Sequence, residues 1–273
     1  MKLISWNIAR RDGAWRSLLE TDADIALLQE ASPPPADVAG RVSIDPMPWQ
    51  TSGGGKNRPW RTAVVGLSDR IEVEWFEPKS LAEAHPGEFG ASRPGTLAVA
   101  QVKAPDEEPI IVASLYAPWE EPHASTESSW IYSDGSVHRV ISDLSAFIGR
   151  QAGHRIIAAG DLNSLYGYGE NGNPYWASRY ATVFDRMAGL GLEFVGPQVP
   201  AGRQAEPWPN ELPSDSENVP TFHTNHQTPA TATRQLDFVF ASRGLADKVQ
   251  VRALNQVEDW GPSDHCRVEI GVS

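Results

Sequence analysis

The sequence predicts an α/β protein, in which buried strands alternate with amphipathic helices. Strand-length apolar runs recur along the chain, from residues 2–8 to residues 266–270. Two other segments, residues 137–148 and 174–190, instead carry apolar side chains at helical spacing. Polar side chains follow several of the strands directly, which is where open α/β sheets place their ligands. The same pattern therefore predicts both a fold class and the place of a site.

Length and composition favour one globular domain. The chain has 273 residues, 40% of them hydrophobic and 21% charged, which is enough for a sizeable core. No composition shift, low-complexity tract or internal repeat divides it, so we expect a single domain over residues 1–273. Cys266 is the only cysteine, which excludes an internal disulfide and any zinc site built from several thiolates.

The sequence also predicts a cytoplasmic protein without a transmembrane segment. A single cysteine suits a reducing compartment. The apolar run that follows Met1 is too short for a signal peptide. No segment approaches the roughly 20 consecutive apolar residues of a membrane span.

The formal net charge is −12, which argues against a protein that coats nucleic acid nonspecifically. An acidic total is still compatible with a metal enzyme that acts on phosphates, because carboxylates gathered around a cation also lower the net charge. For such an enzyme, this charge favours a small or single-stranded substrate over a long duplex.

Two strands near the start of the chain end in polar side chains. Residues 2–8 alternate as a strand should, and Asn7 falls where that strand ends. Residues 25–30 form a second apolar run that ends at Glu30, and a helix with Asp12 as its N-cap would connect the two. The alternative is that Asn7 is a turn residue and Glu30 a solvated strand end.

A glycine-rich segment, residues 52–61, combines cations with an aromatic ring. Lys56, Arg58 and Arg61 are interleaved with Trp60. Such a segment suits a mobile loop that contacts phosphates and stacks on a base. The commoner meaning of this composition is a solvated surface turn, and the sequence does not decide between the two.

Tyr116 directly follows another apolar run, residues 110–115, and Arg93 precedes the strand before it. Residues 119–135 are acidic and aromatic without a clear period, and we expect an inserted loop over the cleft. Ser136 is the expected N-cap of the amphipathic helix that comes next.

The stretch of residues 156–163 is the most informative in the chain. Short apolar residues run up to a glycine, and Asp161 and Asn163 follow two positions apart. That spacing puts both side chains on the same face of an extended chain. We expect them to emerge together at the carboxyl end of a buried strand, the alternative being an ordinary polar turn.

The carboxyl-terminal part of the chain places an aspartate inside an apolar strand. Asp237 lies within residues 236–240, and a buried carboxylate there needs a charged or hydrogen-bonded partner. His265 can be that partner, because an aspartate would fix the imidazole tautomer and raise its pKa. Asp264 would point the other way, towards a metal. Residues 197–235, which precede this strand, are predicted to be loop.

Residues 167–172 match the glycine fingerprint of dinucleotide-binding proteins, so an oxidoreductase is an alternative. The fingerprint's first glycine should close the tight turn after the strand, whereas several residues intervene here. The helix is also predicted to begin later, at Pro174 with Asn173 as its cap. We therefore favour another function.

Six short motifs, each at a predicted strand end, together resemble the endonuclease/exonuclease/phosphatase superfamily. In chain order they are Trp6-Asn7, Gln29-Glu30, Tyr116-x-Pro118, Gly160-Asp161-Leu162-Asn163, Leu236-Asp237-Phe238 and Ser263-Asp264-His265. Single motifs are weak, but six in the right order make a specific match that spans nearly the whole chain. The resemblance implies a four-layer α/β/β/α sandwich, with two packed mixed β-sheets flanked by helices.

The resemblance also implies a metal-dependent phosphoric ester hydrolase. The expected cofactor is Mg²⁺, with Mn²⁺ as a substitute. Glu30 resembles the principal metal ligand of the family, with Asn7 and Asp264 assisting directly or through water.

The other motif residues resemble the family's catalytic groups. Asp161 would orient and deprotonate the attacking water, held by Asn163, which also contacts the phosphate. His265, paired with Asp237, would stabilise the transition state, and Tyr116 would donate a hydrogen bond to a phosphate oxygen. In-line attack on a phosphoester needs a positioned nucleophile and positive charge near the equatorial oxygens, so these are suitable groups.

A nuclease that acts on DNA or RNA is the favoured member of this class, since cations follow the strands that carry the site. The expected substrate-binding residues are Arg10, Arg11, Lys56, Arg58, Arg61 and Arg93. A phosphoinositide, a sphingolipid or a nucleotide would meet the same cations, so a phosphatase or a phospholipase-C-like enzyme is the alternative. A noncatalytic binding protein on the same fold is a further one. The sequence does not decide the oligomeric state, and we take a monomer as the expectation.

Overall fold

The computed structural model describes residues 1–53, 56–119, 125, 133–149 and 153–273. Its strands are β1 (Lys2–Asn7), β2 (Ile25–Ala31), β3 (Ser43–Ile44), β4 (Thr51–Gly53), β5 (Lys56–Arg58), β6 (Arg61–Gly66), β7 (Glu72–Phe76), β8 (Lys79–Ser80), β9 (Gly90–Ala91), β10 (Leu97–Lys103), β11 (Ile110–Tyr116), β12 (Ile156–Asp161), β13 (Leu192–Gly196), β14 (Asp237–Ser242), β15 (Val249–Leu254) and β16 (Arg267–Val272). Its α-helices are α1 (Asp12–Leu18), α2 (Ala36–Ala39), α3 (Asp134–Leu144), α4 (Pro174–Gly189) and α5 (Arg243–Ala246). Single 3₁₀ turns lie at Ser145–Phe147, Glu170–Gly172, Pro229–Thr231 and Val257–Asp259.

The strands form two large mixed sheets. The first has the order β15-β16-β1-β2-β6-β3, and the second has the order β13-β14-β12-β11-β10-β7. One apolar cluster joins residues of both sheets, for example Leu27 of β2 and Ile157 of β12, and so lies between them. The outer face of the second sheet packs on α3 and α4, and the outer face of the first packs on α1 and α2. The predicted four-layer sandwich is confirmed.

One of the three predicted helix N-caps is confirmed, and two are wrong. The side chain of Asn173 caps α4 by accepting a hydrogen bond from the backbone N–H of Tyr175, as predicted. Asp12 is the first residue of α1 and not its cap, so its charge lies in the first turn, beside the positive end of the helix. The helix α3 begins two residues before Ser136, whose hydroxyl donates to the backbone oxygen of Pro118 instead.

The segment at residues 52–61 is more regular than its composition indicates. Thr51 pairs with Arg58, and the strands β4 and β5 form a small antiparallel hairpin that leads into β6. Residues 54–55 at its tip lie outside the described residues, as does most of the loop expected at residues 119–135. Residues 197–235 have irregular structure apart from one 3₁₀ turn, in agreement with the prediction. No helix of the described chain is long and apolar enough to span a membrane.

Gly160 allows β12 to approach β11 closely. It lies opposite Leu115 in the parallel ladder, and a Cβ at this position would lie 1.9 Å from the backbone oxygen of Leu115. We therefore expect Gly160→Ala to lower the free energy of unfolding by about 2–3 kcal/mol, measured by urea denaturation. Gly135→Ala in α3, where a Cβ meets nothing within 4 Å, is the control and should be neutral or stabilising. Equal stability of the two variants would contradict this account.

Candidate active site

The directions of the strands bring the predicted polar residues to one edge of the two sheets. The parallel pairs β1–β2 and β11–β12 end at this edge, whereas the antiparallel strands β14 and β16 begin there. In the second sheet Asp161 lies directly between Tyr116 and Asp237 in register. In the first sheet Asn7 ends β1, and His265 lies two residues before β16.

Asp161 is the buried centre of the arrangement. Its Oδ2 atom accepts hydrogen bonds from the amide of Asn7 at 2.9 Å and from the amide of Asn163 at 3.1 Å. Its Oδ1 atom accepts from the backbone N–H of Asn163 at 2.9 Å. Burial raises the pKa of Asp161 above the usual aspartate value, although the neighbouring His265 acts in the opposite direction. A positioned carboxylate with a raised pKa suits a general base near neutral pH.

His265 lies between two carboxylates. Its Nδ1 atom is 2.8 Å from Oδ2 of Asp237, and its Nε2 atom is 3.8 Å from Oδ2 of Asp161. Burial acts to lower the pKa of His265, but the charges of Asp237 and Asp161 outweigh it, and the pKa is raised. The raised pKa favours the charged imidazole, and its Nε2 atom lies beyond hydrogen-bond distance of Asp161.

Glu30 reaches the same edge because the ladder between β2 and β6 is interrupted. The register shifts between Leu28 and Ala31, and Glu30 has a φ of 46°. A bulge of this kind redirects a side chain. The Oε1 atom of Glu30 accepts a hydrogen bond from the hydroxyl of Tyr116 at 2.9 Å. Burial and the charges of Glu30 and Asp161 raise the pKa of Tyr116, so its hydroxyl remains a donor.

Left-handed backbone conformations concentrate here. Outside glycine, six described residues have a positive φ, and four of them are Ala9, Arg10, Glu30 and Asn163. Such conformations are costly for residues with a Cβ and are found preferentially at functional sites. The hydroxyl of Ser133 donates to the backbone oxygen of Asn163 and helps to hold that turn.

Three of these side chains offer oxygen ligands for a cation. Glu30, Asp264 and Asn7 all line the cleft, and carboxylate and amide oxygens are the ligands that Mg²⁺ accepts. In the described residues there is no cluster of three or more His, Cys, Asp or Glu side chains that could enclose a metal. Mg²⁺ does not require such a cluster, because it is usually held by one or two carboxylates and keeps several waters. The donor set therefore fits Mg²⁺ or Mn²⁺.

The polar edge opens into a cleft with a volume of about 340 Å³, which suits a small ligand or a single nucleotide unit. Its lining includes Asn7, Ala9, Arg10, Glu30, Arg58, Trp60, Tyr116, Pro118, Trp119, Asp161, Asn163, Phe222, Asp264 and His265. Asp237 lies behind His265 and is 1% exposed, so it acts on the cleft through the imidazole.

The structure brings two of the predicted cationic residues to the cleft. Arg10 and Arg58 are part of its lining, and Arg10 also lies 3.6 Å from Glu30. Arg11 is exposed immediately before α1 and is not among the lining residues. The side chain of Lys56 lies outside the described part of the structure.

Arg61 and Arg93 are placed differently from the expectation that they contact substrate. Arg61 is 3% exposed, forms an ion pair with Asp45 at 2.8 Å and has its guanidinium over the ring of Trp49. Arg61 alternates with Ala63 and Val65 on the face of β6 that packs on the outer helices. Arg93 is 8% exposed, and neither arginine is among the residues that line the cleft. A phosphate contact by Arg61 would require the loss of a buried ion pair.

Three side chains that the sequence does not single out support the site. The ring of Phe222 packs against that of His265, with 4.9 Å between the centroids. The hydroxyl of Thr221 accepts from the backbone N–H of Asp237, and the hydroxyl of Ser263 donates to the backbone oxygen of Asn7. The first two lie in the irregular part of the chain, where no periodicity marks them. Ser263 belongs to a quoted motif, but the sequence does not indicate its partner.

Comparisons with solved structures show the same fold. The chain superposes on a 3′ phosphatase from Neisseria bound to a product DNA hairpin with a TM-score of 0.61, at 18% identity over 100% of this chain and 99% of that one. An AP endonuclease from Leishmania major gives a TM-score of 0.62, at 17% identity over 99% of this chain and 87% of that one. An AP endonuclease from Archaeoglobus fulgidus gives a TM-score of 0.62, at 15% identity over 100% of this chain and 99% of that one.

Sequence comparison identifies the family. A comparison with curated protein sequences gives no significant match. The sequence model of the Endonuclease/Exonuclease/phosphatase family, however, matches residues 4–265, which include every motif residue at the cleft. The chain therefore belongs to the Endonuclease/Exonuclease/phosphatase family.

Proposed function

We propose that this protein is a divalent-metal-dependent phosphodiesterase that cleaves nucleic acid by in-line attack of water. The observation that supports the proposal is the arrangement around Asp161. Its carboxylate is held by two amides, faces a charged His265 and lines the same cleft as Glu30. A base, a cationic group and a set of oxygen ligands are what phosphoester hydrolysis requires.

Asp161 is the proposed general base. The amides of Asn7 and Asn163 fix its carboxylate, so that it can orient a water molecule and take its proton. His265 is proposed to donate from Nε2 to a phosphate oxygen that gains negative charge in the transition state. Asp237 holds the proton on Nδ1 and keeps the imidazole in this orientation.

Glu30, Asp264 and Asn7 are the proposed metal ligands. A divalent cation held there supplies positive charge that neutralises the phosphate and the leaving oxygen. The hydrogen bond from Tyr116 holds Oε1 of Glu30, and Oε2 lies 3.6 Å from Nε of Arg10, so both oxygens of the carboxylate are positioned at the cleft. In this proposal the hydroxyl of Tyr116 positions Glu30 through its hydrogen bond, and Tyr116 lies next to the bound phosphate.

Two observations favour nucleic acid over lipid as the substrate. The superposed structures include two AP endonucleases and a phosphatase bound to a DNA hairpin. A lipid substrate would also require an exposed apolar surface beside the cleft. The large hydrophobic side chains exposed in the described residues do not line the cleft; they are Leu81, Tyr175, Trp208 and Val257.

The test is an activity panel of DNA, RNA, phosphoinositides and sphingomyelin with Mg²⁺ or Mn²⁺. We expect hydrolysis of nucleic acid that EDTA abolishes and added Mg²⁺ restores. An Asp161→Asn protein purified in parallel controls for contaminating nucleases. Hydrolysis of lipid alone would make the protein a phospholipase-C-like enzyme, and no hydrolysis in any arm would indicate a binding protein.

The role of Glu30 has its own test. We expect Glu30→Gln to raise the Mg²⁺ concentration for half-maximal activity by at least about tenfold, because the substitution removes one charged ligand. Calorimetric titration with Mg²⁺, which requires no turnover, should show a matching loss of affinity for Mg²⁺. Glu72→Gln, at an exposed position on β7, is the matched control. An unchanged Mg²⁺ requirement in Glu30→Gln would assign the metal to other residues.

A further inference from the structure

One wall of the cleft consists of an aromatic ring and a cation that the proposed reaction does not use. Trp60 follows the β4–β5 hairpin, is partly exposed and lines the cleft. The guanidinium of Arg58 lies over the indole, 5.1 Å from its centroid. Because the guanidinium lies over one face of the indole, a flat aromatic group would stack on the other face, and the cation would attract a neighbouring phosphate.

Tyr116 connects this wall to Glu30, a proposed metal ligand. The indole of Trp60 packs edge-on against the ring of Tyr116, with 5.3 Å between the centroids. The hydroxyl of Tyr116 in turn donates to Glu30 at 2.9 Å. A group that stacks on Trp60 would therefore lie next to the phosphate at the site of attack.

Few lysine or arginine side chains line the cleft. Among the described lining residues the arginines are Arg10 and Arg58, and no lysine is present. Binding along a duplex depends on many phosphate contacts, each with a lysine or arginine, and the net charge of −12 opposes such contacts. Single-strand binding instead combines a few cations with aromatic stacking. The cleft has the second composition.

We infer that Trp60 and Arg58 form a nucleobase subsite, so that the substrate is a strand with an unpaired base next to the phosphate that is cleaved. The inference rests on the proposed phosphodiesterase function and specifies its substrate. The base stacks on the indole, and Arg58 neutralises the phosphate attached to that nucleotide. A paired base has both faces covered by its neighbours in the helix, so a duplex must fray to use this subsite.

The experiment compares three DNA substrates of the same length: an oligothymidylate, an oligomer of abasic residues and a blunt duplex. We expect the wild-type enzyme to have its lowest KM for the oligothymidylate. Trp60→Ala should raise that KM about tenfold with kcat changed by less than about twofold, because one stacked base is lost. The KM for the abasic oligomer should stay at the wild-type value. Trp60→Phe should recover most of the loss.

Trp208→Ala is the matched control, because Trp208 is 37% exposed and lies outside the cleft lining. Thermal melting of each variant shows whether Trp60→Ala remains folded, and Trp60→Phe provides the test if it does not. An equal rise of KM on the oligothymidylate and the abasic oligomer overturns the inference, as does a wild-type preference for the abasic oligomer or the duplex. These results leave the proposed function intact. Absence of metal-dependent hydrolysis of these three substrates and of RNA by the wild-type enzyme overturns both.

Discussion

Asp161→Asn is expected to lower kcat for phosphodiester hydrolysis by about 10³-fold while the protein remains folded. The carboxylate is 1% exposed and accepts three hydrogen bonds, so its position is fixed before any substrate binds. The amide of asparagine keeps the size of the side chain but cannot take a proton from water. Loss of a positioned general base typically costs 10²- to 10⁴-fold, which is the basis of this magnitude.

Single-turnover rates at saturating Mg²⁺ measure this effect, because they exclude slow product release. Asp185→Asn is the control, since Asp185 is exposed on α4 and the substitution removes the same charge. Both variants should melt within a few degrees of the wild type. A rate for Asp161→Asn within about tenfold of the wild-type rate would show that another group activates the water.

Much of this site follows from strand periodicity and strand direction. An apolar run followed by a polar residue predicts a buried strand with a side chain at its end, and parallel neighbours end at the same edge. Within the second sheet this pattern predicts that Tyr116 and Asp161 meet, and the packing of the two sheets brings Asn7 to Asp161. It also accounts for Asp237 and His265, which lie where antiparallel strands begin.

The position of Glu30 could not be predicted in the same way. The alternation of a regular strand would have put Leu28 and Glu30 on the same face, and Leu28 packs in the core against the outer helices. The interruption of the β2–β6 ladder changes that direction. Such a bulge depends on the pairing with β6, which lies more than thirty residues further along the chain and leaves no local signal.

The distribution of the arginines shows a second limit of the sequence. Arg58 and Arg61 are three positions apart in a segment of uniform composition, yet Arg58 reaches the cleft and Arg61 is buried beside Asp45. Whether an arginine reaches the cleft depends on its tertiary partner and not on the segment itself.

Tertiary packing also explains the glycine motif. Gly169 is required because a Cβ there would lie 2.2 Å from the backbone oxygen of Asn173, so packing against α4 accounts for this glycine without a nucleotide.

His265→Ala is expected to lower kcat by about 10²- to 10³-fold, the usual effect of removing one donor to a developing negative charge. The charged imidazole is 4% exposed, so little solvent screens its interaction with a bound phosphate. Asp237→Asn should have an effect of similar size although Asp237 does not reach the cleft, because it weakens the hydrogen bond that holds Nδ1. The two groups act as a unit, so the double variant should lose little more than the larger single loss.

The double variant distinguishes a shared role of His265 and Asp237 from independent roles. A purely structural role for Asp237 would give a loss that multiplies with that of His265→Ala, because destabilisation and removal of a donor are independent effects. If the two residues share one role, the loss in the double variant will be smaller than the product of the two single losses, by close to the full effect of one substitution. The measurement is kcat for the two single variants and the double variant, with His85→Ala, at an exposed position, as the control. Multiplicative losses would separate Asp237 from catalysis, and a wild-type rate in His265→Ala would remove the imidazole from the mechanism.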